Sequence, residues 1–289
     1  MEIFLQYLIA GITNGATYAL VALGLTLLVG VARLVNFAHG DFFMLGGYLL
    51  VFLFVDKEIP YLLSIVITLI VMLILGLLFE RIVVHPTINK TWREQLVATL
   101  ATSIILSNVA ILFWGTTPRL APTKLSLTIL RLGPITISSH RFVVFFVAVI
   151  SFIALSFFTK NTKIGKAMRA ASQNRDACLI YGINVNFVSL VTVTISTMMS
   201  GLAGVIITPL YNVSPTVGSV MTLKALTSVV MGGLGNTTGA IISAFILGIV
   251  EALFSGYVSS QYQDVASFVI MILILVFRPH GMFGKKVGI

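Results

Sequence analysis

Six long runs of the chain contain no Asp, Glu, Lys or Arg, and they limit what the chain can fold into more than any other feature. The runs cover residues 3–32, 59–79, 95–118, 142–159, 177–223 and 225–250. About 20 apolar residues form a helix long enough to cross the hydrocarbon core of a bilayer. Charged residues make up only 9% of the sequence, whereas about 25% is usual in a soluble domain. The runs therefore predict an all-α polytopic membrane protein.

The apolar segments predict about eight or nine transmembrane or re-entrant helices in a single membrane domain that covers residues 1–289. We place the helices at about 4–31, 41–55, 60–80, 95–115, 141–159, 186–208, 222–234, 238–257 and 264–278. The segments at 41–55 and 222–234 are short and rich in glycine. Either one could therefore be a broken or re-entrant element instead of a full span.

Lys and Arg residues are divided unevenly between the two sides of the predicted helices. Cytoplasmic loops of membrane proteins carry an excess of these residues. If the N-terminus lies outside, the cytoplasmic side holds Arg33, Arg81, Lys90, Arg93, Lys160, Lys163, Lys166, Arg169, Arg175, Arg278, Lys285 and Lys286. The outer side then holds Lys57, Arg119, Lys124, Arg131, Arg141 and Lys224. The larger group favours an outside N-terminus and a cytoplasmic C-terminus, and it explains the net charge of +9 without a nucleic-acid partner.

The same orientation places a loop at about 115–140 on the outside. The alternating residues Ile135, Thr136 and Ile137 predict a small hairpin within this loop. An external loop could receive an extracytoplasmic partner, and the alternative is a plain connector.

A polar segment at 160–182 separates two apolar blocks. Successive helical positions are 100° apart, which predicts a short amphipathic helix. Its apolar face contains Ile164, Ala167, Met168 and Ala171, and its polar face contains Lys166, Arg169 and Gln173. Gly182 would end this helix. Such a helix at a membrane surface can bind a soluble partner, or it can bind anionic lipid.

Four residues near the end of the first span, Asn36, His39, Gly40 and Asp41, are unusual for a membrane segment. Polar side chains at membrane depth are costly and mostly face a cavity or a partner helix. One interpretation is that they line the transport pathway or gate it within a discontinuous helix. The alternative is a solvated cytoplasmic turn with Arg33 and Asp41 facing water.

A second glycine-rich break, MGGLGNTTGA at 231–240, contains Gly232, Gly233 and Gly235. It lacks the Lys of a phosphate-binding loop, so the glycines indicate a sharp turn or close packing, with a gating role as the functional alternative. Glu251 follows in an apolar run, where it could belong to the pathway or make a buried polar contact between helices. Lys224 could extend its amine to the outer interface.

The sequence contains no signature of an enzyme. Cys178 is the single cysteine, the four histidines are far apart, and there is no nucleophile motif or Walker A motif. These observations exclude an internal disulfide and predict neither a metal site nor a bound cofactor. If the protein works against a gradient, the chain has no nucleotide site of its own.

Four stretches together resemble the permease subunits of branched-chain amino acid (LIV-type) ABC importers, most closely the shorter of the two permeases. They are VNFAHGDFFMLGGY (35–48), IGKAMRAASQNRDACLIYGIN (164–184), LKALTSVVMGGLGNTTGAIISAFILGIVEAL (223–253) and FRPHGMFG (277–284). The resemblance covers essentially the whole chain, with the motifs in order. It implies a multi-helix permease of the larger-importer type in a prokaryotic cytoplasmic membrane.

The resemblance also implies partners. These are a second permease subunit, for which the family suggests a different chain, two cytoplasmic ATPases that use ATP and Mg, and an extracytoplasmic solute-binding protein. The ATPase-coupling segment would be 160–185, with its functional positions at Gly165, Lys166, Arg169, Ala170 and Gly182. The chain departs from the family pattern at 172–176, SQNRD, where fewer acids precede Asp176.

Three functions are compatible with these observations. The first is a permease subunit that translocates branched-chain amino acids, or a related small polar solute, by alternating access while partner ATPases supply the energy. The second is a secondary transporter or channel, which would need ionisable residues inside the spans; the candidates are Asp41, Lys224, Glu251 and Asp264. The third is a membrane scaffold without a transport role.

Overall fold

The structure is a computed structural model that describes residues 2–132 and 135–284 and is almost entirely helical. The helices are α1 (Glu2–Leu27), α2 (His39–Val51), α3 (Tyr61–Phe79), α4 (His85–Thr87), α5 (Trp92–Trp114), α6 (Lys124–Leu127), α7 (His140–Asn161), α8 (Lys163–Gln173), α9 (Arg175–Ile180), α10 (Val185–Ile207), α11 (Val217–Gly232), α12 (Thr237–Tyr257) and α13 (Gln263–Phe277). Turns of π-helix continue α1 through Leu28–Ala32, α2 through Phe52–Asp56 and α3 through Glu80–Val84. Of the charged residues used to orient the chain, Lys285 and Lys286 lie outside the described residues.

The predicted polytopic helical fold is confirmed. Within the described residues, seven helices are long and apolar enough to cross a membrane, and α11 and α13 are shorter apolar helices. The two short segments differ from each other. The π-helical turn extends α2 to a span of 18 residues, whereas α11 has 16 residues and reaches about 24 Å at 1.5 Å per residue. Since the hydrocarbon core is about 30 Å thick, α11 is too short to cross it unaided.

The helices divide into an inner and an outer group. In α1, 83% of the most apolar window is buried, whereas in α5 the corresponding share is 11%. Helices α2 and α10 belong to the inner group, and α3 and α7 expose most of their apolar side chains. Because exposed Leu, Ile and Phe are compatible with lipid tails, the outer helices are suited to face the bilayer.

Glycine permits very close contact between α2 and α10. A β-carbon added at Gly46 would lie 2.8 Å from the α-carbon of Gly201, and one added at Gly204 would overlap the carbonyl oxygen of Phe43. Association of helices in lipid depends on such packing because lipid tails are as apolar as the helix surfaces. The contact fixes α2 against α10 with no room for a larger residue.

The loop between α5 and α7 contains the predicted hairpin. Strands β1 (Ile129–Leu132) and β2 (Ile135–Ser138) pair antiparallel, which confirms the sequence interpretation. Arg119 precedes the hairpin, and its guanidinium donates a hydrogen bond of 3.0 Å to Asp56 at the end of α2. This hydrogen bond raises the pKa of Arg119 above its ordinary value. The ion pair ties the loop to the membrane helices.

We predict that Gly46→Ala destabilises the protein by about 1–3 kcal/mol, the usual cost of overpacking a core. Melting temperature in detergent is the measurement. Gly30→Ala is the matched control, because the nearest atom to its added β-carbon lies 3.4 Å away, at ordinary contact distance. Equal melting temperatures for the two variants would contradict the close-contact assignment.

Candidate functional site

The polar segment after α1 is buried. Asn36 is 1% exposed, and His39 and Asp41 are 0% exposed. The backbone NH of Ala38 donates to the side chain of Asn36 at 3.0 Å, and Nε2 of His39 lies 2.9 Å from the carbonyl oxygen of Val21. The solvated-turn interpretation is therefore wrong for these three side chains.

The solvated-turn interpretation is correct for the exposure of Arg33. This residue is exposed and adopts a left-handed backbone with φ of 53° directly after the π-helical end of α1. The chain then turns into α2 over only a few residues. This sharp turn is what brings the polar side chains back into the bundle.

Gly40 and Asp41 connect α2 to two other helices. The backbone NH of Gly40 donates to Oγ1 of Thr222 in α11 at 2.8 Å, and a β-carbon at Gly40 would overlap the carbonyl oxygen of Gly218. Oδ1 of Asp41 accepts a hydrogen bond of 3.1 Å from Ser107 in α5. The start of α2 is thus a buried junction of helices, and Oδ2 of Asp41 has no hydrogen-bond partner among the described residues.

A second buried polar cluster surrounds Lys224 in α11. Its amine, Nζ, lies 2.8 Å from Glu251 of α12, 2.9 Å from the hydroxyl of Tyr18 in α1 and 3.0 Å from Asp264 of α13. Tyr18 also donates to Glu251 at 2.7 Å, and the hydroxyl of Ser267 donates to the other oxygen of Glu251. Four helices meet at this cluster.

The Lys224 cluster resolves two questions that the sequence leaves open. Lys224 is 7% exposed, so the expectation that its amine extends to the interface is wrong. Its amine donates hydrogen bonds to Tyr18 and Glu251 and forms an ion pair with Asp264, and both oxygens of Glu251 accept hydrogen bonds. Glu251 therefore makes the buried interhelical contact, which is the structural alternative proposed from sequence.

A cavity of about 420 Å³ lies above the Lys224 cluster, if the bundle is viewed with α8 at the bottom. We call it the upper cavity. It is lined by Tyr7, Ala10, Asn14, Thr17, Tyr18, Phe43, Ile207, Thr208, Tyr211, Asn212, Val213, Val217, Val220, Met221, Lys224, Ala252, Ser255 and Gln263. Lys224 is the one charged residue in this lining, and it is already paired. The remaining amide, hydroxyl and apolar groups suit a small solute with both polar and apolar parts.

The second glycine-rich break packs against the C-terminal motif. Gly233 has φ of 101°, the backbone NH of Met282 donates to Met231 at 2.7 Å, and that of Phe283 donates to Gly232 at 3.2 Å. Gly235 lies against Gly30 of α1. The glycines thus form a turn that admits the chain end. A gating role for Gly232, Gly233 and Gly235 stays a prediction.

Two helices, not one, form the polar segment at 160–182. α8 ends at Gln173, and Asn174 begins α9 because its side chain accepts a hydrogen bond from the NH of Ala177. The predicted amphipathic pattern of α8 is confirmed: Met168 and Ala171 are buried. The polar residues Lys166, Arg169 and Gln173 are exposed. Gly182, with φ of 74°, follows the end of α9; the prediction that it ends the amphipathic helix is wrong, because α8 already ends at Gln173.

The proposed coupling positions have different surroundings. Gly165 is buried, and a β-carbon there would overlap the backbone of Phe158 and Thr159, so this glycine packs α8 against α7. Arg169 donates a hydrogen bond of 3.3 Å to the carbonyl oxygen of Lys160, whereas Lys166 is exposed and Ala170 is partly buried. Gly165 and Arg169 therefore fix the position of α8 within the subunit.

The most exposed apolar side chains of this segment are Ile180 and Tyr181, at 84% and 85%. They project where α9 meets Gly182, beside the partly exposed Leu179. Sequence reasoning did not select them. The sequence does contain a signal for them. Three apolar residues, 179–181, directly precede Gly182 at the end of a polar segment, where we do not expect the chain to bury them.

Comparison with known proteins identifies relatives over the full length. The family model of the branched-chain amino acid transport system permease component matches residues 7–276. The high-affinity branched-chain amino acid transport system permease protein LivH of Salmonella typhimurium is 31% identical, over 98% of this chain and 96% of its own. The corresponding protein BraD of Pseudomonas aeruginosa is 30% identical over the same shares. The ribose import permease protein RbsC of Haemophilus influenzae is 27% identical over 93% of this chain and 83% of its own. No solved structure matches the chain.

We predict that Lys224→Met destabilises the protein by about 3 kcal/mol or more, because it leaves the buried Glu251 without its cation. Melting temperature in detergent is the measurement, and Lys163→Met, at an exposed position, is the control. The double variant Lys224→Met/Glu251→Leu should recover at least half of the loss. If the double variant is no more stable than the single one, the ion pair is not what Lys224 contributes.

Proposed function

We propose that this chain, which belongs to the family of branched-chain amino acid transport system permease components, is a membrane-spanning subunit of an ATP-driven importer. Its substrates are branched-chain amino acids or a related small polar solute. The subunit acts by alternating access as a single membrane domain, and it is not itself an enzyme. Partner ATPases hydrolyse ATP with Mg, and this chain binds no cofactor.

The observation that carries the proposal is the surface formed by α8, α9 and Gly182. A subunit that depends on a soluble motor needs an exposed element held rigidly against its membrane helices. α8 is packed against α7 at Gly165, and α9 presents Ile180 and Tyr181 to solvent. With the adjacent exposed Leu179 they form an apolar patch within a polar segment, and such a patch supports contact with a protein partner. We assign that partner as an ATPase, and we place the surface in the cytoplasm.

The assembly then contains a second permease subunit and two cytoplasmic ATPases, and an extracytoplasmic binding protein docks at the hairpin side. The N-terminus lies outside and the C-terminus in the cytoplasm of a prokaryotic inner membrane, as the excess of Lys and Arg favours. The upper cavity opens toward the outside in this arrangement, and it is the place where we expect the solute to enter.

The paired state of Lys224 and Glu251 favours this function over a secondary transporter or channel. A coupling ion or proton needs an intramembrane group that is free to bind it. Lys224 and Glu251 are paired with each other and make further hydrogen bonds to Tyr18 and Ser267, so neither is free in this way. Energy from partner subunits removes the need for such a group.

We predict that Tyr181→Asp lowers co-purification of the ATPase by about tenfold or more, because burying an unpaired charge at an interface costs more than the 1.4 kcal/mol that corresponds to tenfold. The melting temperature of the subunit should not change, since Tyr181 is 85% exposed. The matched control is Leu127→Asp in the hairpin loop, which replaces another strongly exposed apolar residue and should retain the ATPase.

Uptake of labelled leucine into proteoliposomes completes the test. Uptake should require the ATPases and should be lost in Tyr181→Asp. Full uptake by this chain without any ATPase would overturn the proposed function, and so would normal ATPase binding by Tyr181→Asp.

A further inference from the structure

A second large cavity lies at the opposite end of the bundle from the upper cavity. It has a volume of about 300 Å³ and lies between α1, α7, α8 and the start of α12. We call it the lower cavity. It is lined by Leu23, Thr26, Leu27, Gly30, Val31, Phe152, Leu155, Ser156, Thr159, Lys160, Met168, Arg169, Ser172, Gly235, Thr237 and Thr238.

The lower cavity is not a continuation of the upper one. At 100° per residue, the α1 residues that line the upper cavity (7, 10, 14, 17 and 18) are centred about 180° from those of α1 that line the lower cavity (23, 26 and 27). The two cavities therefore lie on opposite faces of α1. The lower cavity is a separate site that translocation along the upper cavity does not explain.

The charges in the lower cavity have one sign. Lys160 and Arg169 belong to the lining, and the lining contains no Asp or Glu. Neither side chain has an acidic partner among the described residues; Arg169 contacts only the carbonyl oxygen of Lys160. Two cations that line one cavity repel each other, and an anion bound between Lys160 and Arg169 would relieve that repulsion.

The remaining lining defines the shape of the ligand. The same lining contains the hydroxyl groups of Ser156, Thr237 and Thr238, and the first backbone NH groups of α12 add donors that a helix leaves unpaired. The lining also contains six large apolar side chains, those of Leu23, Leu27, Val31, Phe152, Leu155 and Met168. The combination fits an oxyanion attached to an apolar body.

We propose that the lower cavity binds a phosphate-bearing amphiphile, with the phosphate at Lys160 and Arg169 and the apolar part against α1 and α7. The phosphate belongs to an anionic lipid or to a soluble organophosphate. The transported amino acid does not fit, because its ammonium group would lie beside two cations without a carboxylate to accept it. Bound phosphate would hold α8 against α1 and so set the position of the coupling surface.

This proposal goes beyond the proposed function and takes from it only the side of the membrane. The test uses the full-length chain in detergent, where either leaflet is equally accessible. Native mass spectrometry measures retention of phosphatidylglycerol in one arm and of glycerol 3-phosphate in the other. Phosphatidylcholine, which has a phosphate but no net charge, is the comparison lipid, and leucine should not be retained at this site.

The variants are Lys160→Gln and Arg169→Gln, each expected to weaken phosphatidylglycerol binding by about tenfold, the effect of losing one charge-assisted hydrogen bond. Lys163→Gln is the matched control, since Lys163 is an exposed lysine of α8, the helix of Arg169, and is absent from the lining; it should change binding less than about twofold. Melting temperatures show that the variants are folded.

Selective loss of phosphatidylglycerol in the two variants supports the lipid source. Selective loss of glycerol 3-phosphate supports the soluble source. Retention that is equal in all three variants, or retention of neither ligand by the unmodified chain, overturns the proposal. ATPase co-purification is measured separately, so failure here is distinguishable from failure of the proposed function.

Discussion

Backbone contact between α2 and α10 at Gly46, Gly201 and Gly204 holds the start of α2 inside the bundle, and the buried polar residues depend on that placement. In lipid, an unsatisfied backbone or side-chain polar group finds no water. Asp41 and Gly40 reach Ser107 and Thr222 because α2 lies this deep. If the two helices were separated by one larger side chain, the same polar residues would lose their partners.

The apolar runs predict the helices because membrane insertion depends on composition over about 20 residues, and no distant contact is needed to read it. The amphipathic face of α8 and the hairpin are likewise local patterns. The Lys224 cluster could not be predicted this way. Tyr18 and Lys224 are 206 positions apart, and the pairing arises only when α1 and α11 pack together. Asn174 is a residue type that often caps helices, but the amphipathic pattern continues across it, so the pattern alone predicts one helix.

The segment that we propose for ATPase coupling contains residues with two different kinds of contact. Gly165 packs against α7 and the exposed Arg169 donates a hydrogen bond back to Lys160, whereas the most exposed apolar residues are Ile180 and Tyr181. Residues of a motif can therefore hold a binding surface in place without being part of that surface. Rigid mounting matters for a subunit driven from outside, because a push on a loosely attached helix would not reach the spans.

The position of the two cavities on opposite faces of α1 would link their occupancies if α1 tilts during transport. A tilt that widens the upper cavity would narrow the lower one, so a ligand in one cavity would lower the affinity of the other for its own ligand. Thermodynamic linkage makes this effect equal in both directions. Solute and phosphate amphiphile would then be mutual antagonists without sharing a single contact residue, and the supply of the amphiphile would set how readily the subunit accepts solute.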